Sequence, residues 1–142
     1  MSYPEDILAK VREIPHILVF DTQVPDEASV PIIPGSDEVH PYVTVDFGGD
    51  VSAPKRFKGV TGARDDIAEA DVVVQCIAST PGDSRKLLNL VKNKLMGYTP
   101  PGGHGELRHA LYGGTGKVSG LGNPTRFGSV QVFSLFVNPE YA

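Results

Sequence analysis

The sequence has too little cysteine for a disulfide framework, since its one thiol, Cys76, finds no second cysteine within the chain. Cys76 sits inside the apolar run Asp71 to Ala78, where a small buried thiol is the expected state and a reactive nucleophile is not. Basic residues are in deficit as well: 13 Lys and Arg stand against 17 Asp and Glu, for a formal net charge of -4. Holding nucleic acid by neutralising phosphates needs a concentrated basic surface, so DNA is not the primary ligand. Long apolar runs are missing too. None approaches the ~18 residues of a membrane helix, and the N-terminus lacks a basic-plus-apolar signal segment. Neither secretion nor membrane insertion is indicated, and the protein is expected in the cytoplasm when made. No internal repeat is visible.

What is present is one domain's worth of chain. At 142 residues it is long enough to bury well over half of the surface that its unfolded form exposes. With 40% hydrophobic and 21% charged residues it has the balance of a folded protein, so a single domain over residues 1–142 with one core is expected. Gly 16 and Pro 12 are high for this length and cluster between the apolar segments, which assigns much of the chain to loops or extended arms.

Pro4 followed by Glu5 and Asp6 marks a helix start, with proline in the first turn and carboxylates at the positive end of the dipole. Ile7, Leu8, Val11 and Ile14 form one helical face, and Pro15 stops it. Ile17 to Phe20 is short and β-branched, which predicts a strand. From Gln23 to His40, prolines at 25, 31 and 34 break every helical period and predict a long arm. Tyr42 to Phe47 alternates as a strand with one buried face and closes on Gly48-Gly49-Asp50. Arg56 to Thr61 is a further candidate strand. Val72 to Ala78 is almost continuously apolar and predicts the central strand.

After the turn Ser79-Thr80-Pro81-Gly82, Asp83 or Ser84 is placed to cap a helix whose face is Leu87, Leu88, Val91 and Leu95, with Gly97 where a left-handed cap is needed. Leu107 to Tyr112 suggests a strand, Gly113 to Pro124 a flexible glycine-rich excursion, and Val130 to Val137 a closing aromatic-rich strand. The order predicts an α+β fold. Its sheet is mixed and mostly antiparallel, with an N-terminal helix and one longer amphipathic helix on one face, plus long Gly/Pro-rich loops.

Motifs with chemistry are few. Gly113-Gly114-Thr115-Gly116-Lys117 imitates a phosphate loop, but the place of its leading glycine holds Leu111 and the place of its magnesium-binding hydroxyl holds Val118. Gly82-Asp83-Ser84 resembles the nucleophile block of one esterase class, with His104 or His109 as the base. The same residues serve equally as a turn and helix cap, which needs no further assumption. His16, His40, His104 and His109 lack metal-ligand spacing, so no metal site is expected. Asp65, Asp66, Glu69 and Asp71 have no glycine-centred calcium loop around them and suit a solvated acidic turn. Strongly β-forming segments joined by long loops would expose sheet edges unless a partner covers them, which suits an assembly subunit or a small ligand-binding domain.

Three segments in order carry a likeness to a known family: PYVTVDFGG at Pro41 to Gly49, DVVVQCIASTPGDSRKLLNLVKNKL at Asp71 to Leu95, and FGSVQVFSLFVN at Phe127 to Asn138. Together they resemble the tail terminator, or tail completion, proteins of long-tailed phages. In that family an N-terminal helix precedes an extended strand with a Pro-Tyr-Val-type motif, a hydrophobic strand turns into an amphipathic helix, and a last strand completes the sheet. The arm Gln23 to His40 and the excursion near Gly113 fall outside that pattern.

The resemblance implies a homo-oligomeric ring, typically a hexamer, that caps the tail tube at its final length and presents a surface to head–tail connector proteins. It implies a virion protein at the head–tail junction with no cofactor, no enzymatic step and no membrane, whose channel passes DNA without binding it specifically. In such a ring, Tyr98, Leu107, Tyr112 and Leu121 would be apolar anchors to neighbours, and Arg108 and Arg126 polar ones. Asp65, Asp66, Glu69 and Asp71 would line or border the channel. Shortening Gly113 to Asn123 is expected to spare the fold while weakening the ring. Rival readings are a head–tail connector or minor tail subunit, or a small hydrolase using Ser84.

Overall fold

A computed structural model describes residues 3–24, 30–48, 68–102, 104–110, 115–122 and 124–137. The fold is α+β. The first helix, α1 (Tyr3–Val11), is followed by β1 (Leu18–Asp21), β2 (Tyr42–Phe47), β3 (Ala68–Ala78), the longer helix α2 (Pro81–Leu95), β4 (Arg108–His109), β5 (Thr115–Gly120) and β6 (Phe127–Val137). The strands form one mixed sheet in the order β1-β2-β3-β6-β4, with β5 also paired to β6. Among the described residues only β1 and β2 run parallel; the other pairs are antiparallel.

Both helices cover one face of this sheet. Ile7, Leu8 and Val11 of α1 and Leu87, Leu88, Val91 and Leu95 of α2 pack on Val43, Val45, Val72, Val74 and Phe133. The helical period of α1 ends at Val11, where a tighter turn bonds Ile14 N–H to Val11 O at 3.1 Å and keeps Ile14 in the same core. His16, at φ 64, then turns the chain into β1, and Thr22, at φ 72, ends that strand.

Thr80 is the true cap of α2. Its Oγ1 accepts from Asp83 N–H at 3.2 Å, and Pro81 takes the first helical position, where its missing N–H costs nothing. The predicted caps Asp83 and Ser84 therefore lie inside the helix, because the Thr-Pro pair starts it earlier. At the far end Gly97 holds φ 81, the left-handed conformation expected of it, and bonds through its N–H to Leu107 O at 2.9 Å.

The structure gives the proline-rich arm a reason. Parallel neighbours such as β1 and β2 need a crossover of about a dozen residues or more, so no short turn suffices between Asp21 and Tyr42. The crossover also does packing work. Ile32 and Val39 form an antiparallel bridge, and Val39, 1% exposed, lies with Tyr42 and Ile77 in a second small core on the face opposite α1 and α2, which is helix-free among the described residues. This corrects the expectation for β2: Tyr42 and Thr44 are buried as well as Val43 and Val45, and the arm packs over Tyr42.

A second correction concerns the glycine-rich excursion. Residues Thr115–Gly120 are a strand, β5, paired with β6 through Gly120↔Phe127 and Ser119↔Gly128, and Leu121 N–H closes the hairpin on Arg126 O at 3.0 Å. Its one aliphatic side chain, Val118, is too little for a periodicity signal, so backbone pairing to β6 makes the strand. The candidate strand Arg56 to Thr61 lies outside the described residues.

Candidate interaction surface

Pairing registers sort side chains onto the two faces, since directly opposed residues share a face. The helix-free face carries Leu18 and Phe20 of β1, Tyr42, Thr44 and Asp46 of β2, and the set Glu69, Asp71, Val73, Gln75 and Ile77 of β3. On β6 it carries Val130, Val132, Ser134 and Phe136. The face is split along its length. At one end Val39, Val30 and Leu121 close over Tyr42 and Ile77. At the other end, Asp46 opposes Val73, Val73 opposes Val132, Asp71 opposes Ser134 and Glu69 opposes Phe136.

This open end is amphiphilic. Phe136 is 42% exposed, Val73 and Val132 are half-buried, and Asp46, Glu69 and Asp71 are exposed around them. Arg108 opposes Ser134 at its margin and is ion-paired with Glu106. A shallow cleft of about 370 Å³ lies among Glu69, Glu106, Arg108 and Phe136. The adjacent edge of β6 is covered: Gly105 N–H bonds Phe136 O at 2.8 Å, Ala110 N–H bonds Val132 O at 3.0 Å, and β5 takes the remainder.

The residues expected at an interface do not gather in one place. Arg108 is exposed at the open end of the sheet. Leu107 is fully buried against the helices, with its N–H on Tyr98 O at 2.8 Å and its carbonyl taken by Gly97. It is a core residue, not an anchor for a neighbour. Tyr98 packs on the same core beneath Lys10, whose Nζ lies 5.2 Å from the ring centroid, and its phenol pKa is raised by burial and by the carboxylates Asp6 and Glu13. Leu121 and Arg126 belong to the β5–β6 hairpin, both half-buried; Arg126 donates to Pro124 O at 3.1 Å. Tyr112, Asp65 and Asp66 lie outside the described residues, whereas Glu69 and Asp71 project from β3 on the helix-free face.

Phe136, Val73 and Val132 escaped sequence reasoning. The available signal was that the closing strand is apolar on both faces, Phe133 and Leu135 on one and Val130, Val132 and Phe136 on the other, so that both demand cover.

The candidate nucleophile is placed clearly. Ser84 is wholly buried; its hydroxyl donates to Cys76 O at 2.9 Å and lies 3.1 Å from Ser129 Oγ, neither of which is a base. His104 stacks edge-on against Tyr3 at 5.7 Å, and His109 lies beside Phe133. Thr115 and Lys117 of the imitation phosphate loop are in β5, which leads into a hairpin and not into a helix. Among the described residues no group of three or more His, Cys, Asp or Glu side chains is arranged to hold a metal, and no helix is long and apolar enough to cross a membrane. The sequence matches no protein-family model, and no curated protein is significantly similar to it.

Proposed function

We propose that this chain is a structural subunit of a phage tail: a tail terminator that assembles as a ring, typically of six copies, on the end of the tail tube. It ends tube growth and offers its other side to head–tail connector proteins. The observation that carries this reading is the open end of the helix-free face, where Phe136, Val73 and Val132 stand among exposed carboxylates on paired strands. A large aromatic held in an ordered, partly apolar patch favours protein contact over solvent. The order of elements that resembles tail terminators supplies the assembly in which such contacts would serve.

The mechanism is steric. One side of the ring copies the docking surface of a tube ring, and the other side refuses the next one, so binding energy is spent on ending a polymer and no bond is made or broken. A chain of formal net charge -4 suits a channel that passes DNA without retaining it. The site of action is the head–tail junction of the virion.

The test is to add the purified protein to growing tubes of the cognate tail-tube protein and to image both by negative stain. Rings on tube ends with arrested growth support the reading. Unarrested growth with rings bound elsewhere identifies a connector or minor tail subunit instead, and a protein that neither rings nor binds tubes overturns it.

A further inference from the structure

The open end of the sheet and the outer side of α2 lie on opposite sides of the molecule, because α2 packs on the other face of the same sheet. Their surfaces are complementary. The sheet end presents Asp46, Glu69 and Asp71 around Phe136. The outer side of α2 presents Arg85 and Lys86, both exposed, with Leu90 at 49% and, just past the helix end, Met96 at 40% exposure. Lys86 and Leu90 are four positions apart and so share one stripe of the helix. Asp83 stands about a turn earlier than Lys86, where it complements the positive end of the helix dipole.

One chain cannot bring these patches together, because the sheet lies between them. Each patch is dominated by one sign of charge, acidic on the sheet end apart from Arg108 at its margin and basic on α2 apart from Asp83, so two copies of one patch would repel across a two-fold axis. We propose that the outer side of α2 of one copy docks on the open sheet end of the next, so that the occupant of that face is a second copy of this chain. The contact is heterologous, with a different patch from each partner, and such contacts close into a ring when the rotation between copies permits. The aliphatic Leu90 and Met96 meet the apolar strip of Phe136, Val73 and Val132, while Arg85 and Lys86 meet the carboxylates that flank it. This deepens the ring reading proposed above and rests on it. It also assigns Glu69 and Asp71 to the contact between subunits and not to the channel wall, a role under which their charge would leave association unchanged.

The experiment uses the full chain in sedimentation velocity at low ionic strength. Arg85→Glu/Lys86→Glu reverses one patch, and Glu69→Lys/Asp71→Lys reverses the other. Each variant alone is expected to associate at least about tenfold more weakly than the wild type, because like charges then face each other. An equimolar mixture of the two is expected to recover assembly, as is the chain carrying all four substitutions. All four positions are exposed, so thermal midpoints should stay at the wild-type value. Raising the ionic strength from ~0.1 M to ~1 M shortens the Debye length from about 10 Å to about 3 Å and should weaken wild-type association. Variants that assemble like the wild type, or folded variants that neither mixing nor combination rescues, overturn the docking. If such a variant still arrests tube growth, the tail-terminator reading survives that failure; a wild type that stays monomeric and leaves tubes growing sinks both.

Discussion

Ser84 and Ser129, 45 positions apart in the chain, bring their hydroxyls to 3.1 Å inside the protein, where both side chains are wholly buried. Ser84 comes from the first turns of α2 and Ser129 from β6, while Ser84 also donates to Cys76 O of β3 at 2.9 Å. The pair ties the start of the helix to both long strands. Two small side chains let α2 approach the sheet closely, and each supplies the other with a polar partner where neither side chain reaches the surface.

Ser84→Ala is therefore expected to destabilise the fold by about 1–3 kcal/mol, since it strands the Cys76 carbonyl and the Ser129 hydroxyl without this partner. Ser129→Ala should cost a similar amount, and the double variant less than the sum, because the second change removes a group that has already lost one of its two partners and keeps only the Ser84 carbonyl at 3.4 Å. Urea unfolding of the four proteins measures the coupling. Strict additivity would show that the hydroxyls do not act together.

Leu88 and Leu90 are near neighbours on α2 with opposite fates: Leu88 is 4% exposed in the core and Leu90 is 49% exposed. Leu88→Ala should cost about 2–5 kcal/mol through lost burial and a residual cavity. Leu90→Ala should change stability by no more than about 0.5 kcal/mol. Equal shifts in unfolding midpoint would mean that the inward face of α2 is misassigned.

Burial pushes the Cys76 thiol from its ordinary 9.0 up to about 12, with the nearby Lys92 charge opposing the shift. Because the folded state holds this proton more tightly than the unfolded chain does, the contribution is complete below pH 9 and is lost as pH rises toward 12. One such group can give a slope of at most about 1.4 kcal/mol per pH unit. Tyr3, also raised by burial, adds a loss of the same sign only above its ordinary 10.0. Denaturant midpoints between pH 9 and pH 10 should thus fall in the wild type and flatten in Cys76→Ala. The native thiol should also resist alkylation until the protein unfolds, and rapid labelling of the folded protein would contradict its burial.

The legible parts of this fold are those where side-chain pattern and backbone state coincide. Tyr42 to Phe47 is bounded as the alternation predicts, and Leu87, Leu88, Val91 and Leu95 are buried together because their spacing forces them onto one side of α2. The cap of α2 was ambiguous because Thr80, Asp83 and Ser84 all have capping side chains, and only the position of Pro81 separates them. The parallel pairing of β1 with β2 left no local trace, so the length of the arm looked surplus when the crossover required it. Of the candidate surface, Glu69 and Asp71 read as part of an acidic turn ahead of the central strand, but β3 starts at Ala68 and carries both carboxylates on the face opposite the helices. Leu107 misled, since the Gly/Pro-rich segments on either side of its candidate strand suggest contacts beyond the core, while its backbone bonds to Gly97 and Tyr98 hold it in the core.

The hairpin of β5 and β6 sets the last expectation, and it reverses the simple view of a dispensable loop. Shortening residues 113–123 to a tight turn removes β5, which bares the edge of β6 from Phe127 to Gln131. It also removes Leu121, which packs with Tyr42, Ile77 and Val39 and would lie 2.9 Å from a Cβ placed on Gly128. Losing a half-buried leucine and an edge strand together should cost at least about 2 kcal/mol and promote aggregation through the uncovered edge. A deletion is thus a poor probe of assembly, because loss of ring formation would follow from loss of fold. Ser119→Lys is the cleaner change: Ser119 is exposed on the helix-free side opposite Gly128, so the substitution should leave the unfolding midpoint within about 0.5 kcal/mol. Wild-type melting of the deletion variant would show that β5 and Leu121 contribute nothing to stability. Failure of the well-folded Ser119→Lys protein to arrest tube growth would place the hairpin in the assembly contact, and normal arrest would confine it to guarding the sheet edge.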